Sequence, residues 1–252
     1  MRVHVALTPA EFPDAPLSGC VALAVDVLRA TSAAVAACDA GCRRLVPVPD
    51  AAAAEALAAR DGPDTVLAGE RGGEAQAGFD LGNSPAEFTA DRVGGRTVVL
   101  TTTNGTAAML TAARAAAAGL AALTNVTAAA RWALEPGRDV TILCAGDNGA
   151  FSLEDTVCAG LLVARLLEAA PDAVLSDGAQ AALGLGRHYG ARLESLAQDS
   201  GWGRKLERLG RAADLAWCLR ADVSQVVPVF VAGGFVPCRA GSTAAVGSES
   251  RA

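Results

Sequence analysis

Val98-Val-Leu-Thr-Thr-Thr-Asn-Gly-Thr106 is the stretch on which the reading of this chain turns. Three strand-favouring apolar residues run straight into small polar residues around a glycine, and an alanine-rich helical segment follows. Strand, polar turn and helix in that order make up part of a βαβ unit. The turn offers hydroxyls, an amide and backbone N–H groups at the start of a helix, which is chemistry for holding an oxyanion.

The arrangement recurs. One apolar run delivers Asp26-Val-Leu-Arg-Ala-Thr-Ser32 and another delivers Gly69-Glu-Arg-Gly-Gly73. A third, residues 142–144, leads into Gly146 and on to Glu154-Asp155. Polar residues gathered after strands predict a site at the carboxyl edge of an α/β sheet.

Working outward, strands are predicted at residues 3–7, 20–25, 45–48, 65–68, 97–100, 121–124, 140–144 and 226–231. Helices are predicted at 31–40, stopped by Gly41, at 51–60 behind Asp50 as N-cap, and at 107–118, 127–132 and 153–168. Strands alternating with helices at this spacing imply a three-layer α/β/α fold with a largely parallel or mixed sheet. Beyond Pro171 the texture turns helical, and residues 177–220 carry Arg187, Arg192, Arg204, Lys205, Arg208, Arg211 and Arg220. This stretch reads as a solvated basic face, with a lid or subunit contact over an anionic site as the alternative. The organisation expected is a single α/β domain over 1–238, with a possible subdivision near 171, and a disordered tail over 239–252.

Hydrophobic residues make up 52% of the 252-residue chain and aromatics only 4%, so the core must be built mainly of Ala, Val and Leu. A formal charge of −6 argues against a nucleic-acid binder. It leaves room for a small anionic substrate, because a local arginine cluster reverses the field inside a cleft. Lys205 is the only lysine among 21 basic residues, so anion contacts must come from arginine, hydroxyls and backbone amides. Seven scattered cysteines without a CxxC pair, with only His4 and His188 beside them, disfavour structural zinc. They read as small core residues of a reducing cytosol, Cys38 and Cys42 included. The N-terminus lacks the apolar stretch of a signal peptide, and the alanine-rich region 107–134 is broken by Arg114 and Arg131. A soluble cytoplasmic protein with no membrane contact is expected.

Asp26, Glu70, Glu154 and Asp155 are the candidate chemical groups. Each has an ordinary reading: an aspartate after a strand caps a turn, Glu70-Arg71 sits in a glycine loop, and acidic residues at a helix start complement its dipole. Taken together they offer hard oxygen ligands suited to Mg²⁺, which favours carboxylates, waters and substrate phosphate oxygens. Carboxylates, arginines and an oxyanion loop in one cleft suggest metal-assisted phosphoryl chemistry. Other routes to that chemistry are absent. A haloacid-dehalogenase phosphatase needs Asp-x-Asp after its first strand, but Leu28 stands two residues beyond Asp26, and Lys205 falls after Gly146-Asp147 rather than before it. No glycine-rich segment ends in Gly-Lys-Ser/Thr, and there is no GxSxG elbow.

In chain order, Asp26-Val-Leu-Arg-Ala-Thr-Ser32, Gly69-Glu-Arg-Gly-Gly73, Phe79-Asp-Leu-Gly-Asn-Ser-Pro85, Thr101-Thr-Thr-Asn-Gly-Thr106 and Phe151-Ser-Leu-Glu-Asp155 form an ordered set. This set resembles the 2-phosphosulfolactate phosphatase family. The likeness runs from near residue 20 to about 160 and continues more weakly through Ser200, Leu206, Gly210, Asp214 and Cys218 to Val227-Pro228. The resemblance implies a Mg²⁺-dependent phosphatase converting (R)-2-phospho-3-sulfolactate to 3-sulfolactate and phosphate. In methanogens the family serves coenzyme M biosynthesis, a pathway role that reaches this chain only by analogy. It also suggests a homo-oligomer.

A substrate bearing phosphate, sulfonate and carboxylate demands several separated anion sites. On this reading Asp26, Glu70, Glu154 and Asp155 hold Mg²⁺ or position water. Arg29 and Arg71 clamp phosphate or sulfonate, beside Thr31 and Ser32. Thr101, Thr102, Thr103, Asn104, Gly105 and Thr106, with Asn83 and Ser84, wrap the remaining oxygens. Two rivals stay open: a phosphatase of the same fold acting on another phosphorylated hydroxy acid, and a non-enzymatic binder of a small anion.

Overall fold

The buried alanine and valine strands define the architecture. In the computed structural model, which describes residues 1–239, the chain runs β1 (Arg2–Ala6), β2 (Val21–Val25), α1 (Ala30–Asp39), β3 (Arg44–Pro47), α2 (Ala51–Asp61), β4 (Thr65–Arg71), β5 (Glu74–Ala75) and α3 (Ala90–Val93). It continues through β6 (Thr97–Thr101), α4 (Gly105–Ala112), β7 (Ala117–Ala121), α5 (Val126–Leu134), β8 (Val140–Cys144), α6 (Leu153–Ala169) and β9 (Val174–Leu175). Four helices follow, α7 (Asp177–Tyr189), α8 (Leu196–Asp199), α9 (Gly201–Arg208) and α10 (Ala212–Cys218), and then the hairpin β10 (Val226–Val231) and β11 (Gly234–Arg239). Arg239 ends a strand; the rest of the expected tail, 240–252, lies outside the described residues.

Among the described residues eleven strands form one mixed sheet in the order β5-β4-β6-β3-β11-β10-β7-β2-β8-β1-β9. The expected three-layer α/β/α class holds, with helices on both faces and a helix-rich C-terminal part. One parallel group is β4-β6-β3 and the other is β7-β2-β8-β1-β9, and the antiparallel hairpin β10-β11 is set between them. Five steps separate β6 from β2, and three of them (β3-β11, β11-β10, β10-β7) are antiparallel, so the groups run in opposite senses. In a flat sheet at about 4.8 Å per strand, their carboxyl ends would stand roughly 24 Å apart on opposite edges. They meet instead: a Cβ on Gly105, just past β6, would lie 2.6 Å from Oδ2 of Asp26, just past β2. The hairpin is joined to each group by a single bridge, Val229 to Gly119 and Phe235 to Leu45. The sheet bends at these sparse joints, and ordinary twist of about 20–25° per step adds roughly 100–125° over the five steps.

Composition explains what fills the bend. Val21, Leu23 and Val25 of β2 face a core shared with α5, α6 and α7. Ala22 and Ala24 face the other way, into a second core that also holds Ala30, Ala33, Ala34 and Ala37 of α1; α4 packs on β2 there, and α1 packs on β7, β10, β11 and β3. Its small side chains let α1 lie inside the curl, and it is buried from Ala30 to Cys38, as an all-round apolar helix must be. It stops in a Schellman motif: Gly41 takes φ +80°, Cys42 N–H donates to Ala37 C=O, and Gly41 N–H donates to Cys38 C=O. Asp50 caps α2 as expected, its carboxylate accepting from Ala53 N–H at 2.8 Å.

The helix expected over 107–118 ends at Ala112, and the strand expected at 121–124 is β7, Ala117–Ala121. Ala-Ala-Gly-Leu-Ala has poor strand propensity, and its pairing with β2 overrides that. Gly119 is required there, because a Cβ would sit 2.7 Å from the Trp132 ring. The short strands β5 and β9 and the closing strand β11 were not anticipated, although the Ala232-Gly233 turn, with φ of 47° and 84°, is a two-residue hairpin signal.

Helix α6, which carries Glu154 and Asp155 in its first turn, is fixed by a close crossing with α7. A Cβ on Gly160 would fall 1.9 Å from the Ala182 carbonyl oxygen. Gly160→Ala must therefore push the helices apart and is expected to cost about 1–3 kcal/mol. Urea unfolding measures this; an unchanged midpoint would contradict the packing described.

Candidate active site

Three strand ends bring four carboxylates that the protein holds out of water. Asp26 follows β2, Glu70 lies in β4, and Glu154 and Asp155 begin α6 beyond β8; all four side chains are buried. Among buried groups such charges are rare unless paired, hydrogen-bonded or bound to metal.

Backbone N–H groups meet most of the demand. Asp26 Oδ1 accepts from Ala30 N–H at 3.0 Å, and its own loop is tied by Thr31, whose hydroxyl donates to Asp26 C=O at 2.8 Å and accepts from Asp26 N–H at 2.9 Å. Glu70 bridges two loops: Oε1 accepts from Thr103 N–H at 2.7 Å and Oε2 from Gly73 N–H at 2.6 Å. Asp155 does the same between β2 and β8, accepting from Val27 N–H at 2.8 Å and Gly146 N–H at 3.1 Å. Glu154 is faced by the Ser200 and Ser152 hydroxyls.

The residual strain is electrostatic. Burial raises Asp26 to about 7, against the Ala30 N–H, while the charges of Glu70 and Glu154 add to the rise and Arg29 opposes it. Burial likewise raises Glu154, with Asp147 adding, and the Ser200 and Ser152 hydroxyls opposing. Burial lifts Asp155 well above the usual carboxylate range, helped by Asp26 and Glu154 and resisted by the Val27 and Gly146 N–H groups. Uncompensated negative charge is thus shared by at least three side chains.

The threonine loop closes over this cluster. A Cβ on Gly105 would lie 2.3 Å from the Ala30 Cβ and 2.6 Å from Asp26 Oδ2, so α4 starts directly on Asp26 only because residue 105 is glycine. Thr102 turns the first helical turn, its hydroxyl accepting from Thr106 N–H at 3.1 Å. Arg71 stands exposed at the rim, donating to Glu70 C=O at 2.7 Å and to the Thr101 hydroxyl at 2.8 Å. Thr103 is exposed and accepts from Gly72 N–H at 3.2 Å; Asn104 accepts from Asn148 N–H at 3.0 Å.

Many of the hydroxyls named from sequence are occupied within the protein. Ser32 donates to Val27 C=O at 2.8 Å and Thr106 to Thr102 C=O at 3.1 Å, so they shape loops, as Thr31 does. Arg29 is buried rather than projecting into a cleft: one guanidinium nitrogen donates to Asp214 and the other to Gly73 C=O at 2.7 Å. Ser84 donates to Asp214 as well, whereas buried Asn83 keeps a carbonyl oxygen without a hydrogen-bond partner among the described residues. The peptide bond between Leu28 and Arg29 is cis.

Three contributions were not anticipated as site residues: Ser200, Trp202 and Asp214, all from the helical segment read as a solvated basic face. Arg187, Arg192, Arg204, Arg208 and Arg220 of that segment are indeed exposed. Its other side covers the site, with Ser200 against Glu154, Trp202 against Gly73 and Asp214 on Arg29. This cover separates open volume from chemistry. The grooves beside Arg92 and beside Arg131, about 340 and 430 Å³, are lined by none of the site residues.

The donor set suits a divalent cation of a particular kind. Among the described residues no three His, Cys, Asp or Glu side chains stand close enough to share one ion. Mg²⁺ needs only one or two carboxylates, completed by waters and substrate oxygens, and carboxylates raised by burial and by one another's charge are groups that a cation could relieve.

Comparison with known proteins gives a concordant result. A sequence model of the 2-phosphosulpholactate phosphatase family matches residues 6–233. A protein of Deinococcus radiodurans named "Probable 2-phosphosulfolactate phosphatase" is 43% identical over 244 residues, 95% of this chain and 98% of its own. Proteins of the same name from Symbiobacterium thermophilum and Thermus thermophilus are 40% and 42% identical, covering 89% and 91% of this chain and 97% and 94% of theirs.

Raised carboxylate pKa values make ionisation oppose folding. The stabilising contribution is fully present below the unfolded carboxylate range, near about 4, and is lost as pH rises through the folded value. For Asp26 that value is about 7. Metal-free protein is therefore expected to lose thermal stability between about pH 5 and pH 8. His4, lowered by burial, works in the opposite sense, so Asp26→Asn isolates the carboxylate by flattening the fall. A melting temperature level or rising across that window in the native protein would contradict the assignment.

Proposed function

The chain belongs to the 2-phosphosulfolactate phosphatase family, and from that premise we propose that it is a Mg²⁺-dependent phosphatase hydrolysing (R)-2-phospho-3-sulfolactate to 3-sulfolactate and inorganic phosphate. The observation that carries the proposal is the meeting of buried Asp26 and Glu70 at the start of α4, with buried Glu154 and Asp155 within the field of Asp26. A helix start of this kind attracts phosphate, and carboxylates beside it repel phosphate unless a cation stands between them.

Asp26, with Glu154 as its charged neighbour, would hold the ion; Glu70 and Asp155 each have both oxygens committed to backbone N–H groups. When bound, Mg²⁺ supplies neutralisation of the charge on the phosphoryl oxygens. The residues of the chain do the rest. Thr106 N–H is taken by the Thr102 hydroxyl and Ala107 N–H by Asn104 C=O, so the remaining N–H groups at the start of α4 would meet phosphate oxygens, while Arg71 at the rim takes a second anionic group, the sulfonate or the carboxylate.

Glu154, raised by burial and faced by the Ser200 and Ser152 hydroxyls, is suited to take a proton from an attacking water and return it to the leaving alcohol oxygen. The bond formed is P–O to water, the bond broken is P–O to the lactate carbon skeleton, and the water proton ends on the departing hydroxyl. Free, mostly buried cysteines support a reducing cytosol as its setting. No helix among the described residues is long and apolar enough to cross a membrane.

Phosphate release from 2-phospho-3-sulfolactate and a panel of phosphoacids, with and without Mg²⁺, tests the proposal. Mg²⁺-dependent release favouring the sulfonated substrate is expected. Preference for a sulfur-free acid would move the assignment to a different hydroxy acid, and no release from any would leave an anion binder. Asp26→Asn is expected to lower kcat by about 100-fold or more. Gly105→Ala, which intrudes on Asp26, should lower it by about 10–100-fold, and turnover near the native rate in either variant would refute the roles given them.

A further inference from the structure

The basic helical segment reaches the site through one acidic side chain, Asp214 of α10. It is buried, and so are both of its partners, Arg29 and Ser84. Arg29 donates to Oδ2 and the Ser84 hydroxyl to Oδ1, so the carboxylate joins α10 to the loop after β2 and to the loop before Pro85. The chain of contacts continues past Arg29. Its second guanidinium nitrogen donates to Gly73 C=O at 2.7 Å, and Gly73 N–H donates to Glu70 Oε2 at 2.6 Å. Gly73 is thus pinned at both of its backbone polar groups. Its φ of +101° and the Leu209 and Trp202 side chains, 3.0 and 3.3 Å from where a Cβ would stand, admit no other residue.

A buried ion pair of this kind is weak as a source of stability, because removing both charges from water costs about as much as their attraction returns. What it does supply is orientation, since the planar guanidinium fork has a fixed geometry. We infer that Asp214 is a positioning residue: by holding Arg29 it fixes Gly73, and through Gly73 it sets the Glu70 carboxylate between the glycine and threonine loops. Arg29 then serves as a brace inside the wall of the site, and Arg71 remains as the arginine facing the anion.

The kinetic arm of the test rests on the phosphatase reading; a second arm does not. Native protein, Asp214→Asn, Asp214→Glu and the charge-neutral double variant Arg29→Gln/Asp214→Asn are compared in two measurements. The first is steady-state phosphate release from 2-phospho-3-sulfolactate. The second is hydrogen exchange at the Gly73 and Thr103 amides, the two donors to Glu70, in ligand-free protein.

Asp214→Asn is expected to lower kcat by about 10–100-fold with little change in KM, and to speed exchange at both amides. Asp214→Glu should recover part of the rate. The double variant, with no buried unpaired charge, should fold as the native protein does while kcat stays low and exchange stays fast. Native kcat and native exchange in folded Asp214→Asn would overturn the inference. So would a return of kcat in the double variant, which would make the pair a folding element only. A raised KM at unchanged kcat would place Arg29 on the substrate and overturn it too. If the native protein releases no phosphate from any phosphoacid, the functional proposal fails, and exchange at Gly73 and Thr103 still decides the positioning role.

Discussion

Asp26, Glu154 and Asp155 are held away from water within one another's field, with Glu70 beside them, and most of the local architecture answers that condition. An isolated ionised carboxylate is costly to bury, and several together compound the cost. The protein meets it with backbone donors supplied in pairs from different strand ends: Gly73 and Thr103 for Glu70, Val27 and Gly146 for Asp155. Each pair stitches two loops together, so satisfying the charge also fixes the loop geometry. Burial, with the charges of the neighbouring carboxylates adding to it, raises the proton affinity of the cluster, and on the function proposed above a cation would meet that charge.

The cluster also draws on both parallel groups: Glu70 and the threonine loop belong to one, Asp26, Glu154 and Asp155 follow strands of the other, and a flat sheet would keep those carboxyl ends apart. The hairpin β10-β11, held by single bridges at Gly119 and Leu45, lets the groups turn toward each other. The alanine-rich surface of α1 allows it to lie against β7, β10, β11 and β3, and glycine at 105 allows α4 to close on Asp26. A chain with 4% aromatic residues is built for such close approaches, because larger side chains would hold these surfaces apart.

Much of this was legible in the sequence. Apolar runs ending in polar loops located Asp26, Glu70, the threonine loop and the start of α6, because a strand buried on both faces has an unambiguous pattern and its end is where chemistry collects. Three things were not legible. β7 is written in alanine and glycine, whose local preference gives no strand signal, and only pairing with β2 makes it one. The opposite sense of the two groups depends on where the last hairpin inserts, which no local pattern encodes. The third is the state of each donor. Thr31, Ser32 and Thr106 look like substrate ligands in the sequence and are spent on their own backbone, while Asp214 looks like an isolated acidic residue in a basic helical segment and lies in the wall of the site. Contacts across 185 residues leave no trace in spacing.

The central claim is that the shared negative charge of the carboxylate cluster is what the cation neutralises. Calorimetric titration of metal-free protein with Mg²⁺ near pH 7, in two buffers of different ionisation enthalpy, tests it directly. The account predicts saturable binding that releases protons, with that release diminished in Asp26→Asn. Absence of binding, or binding of native protein with no proton release, would contradict it.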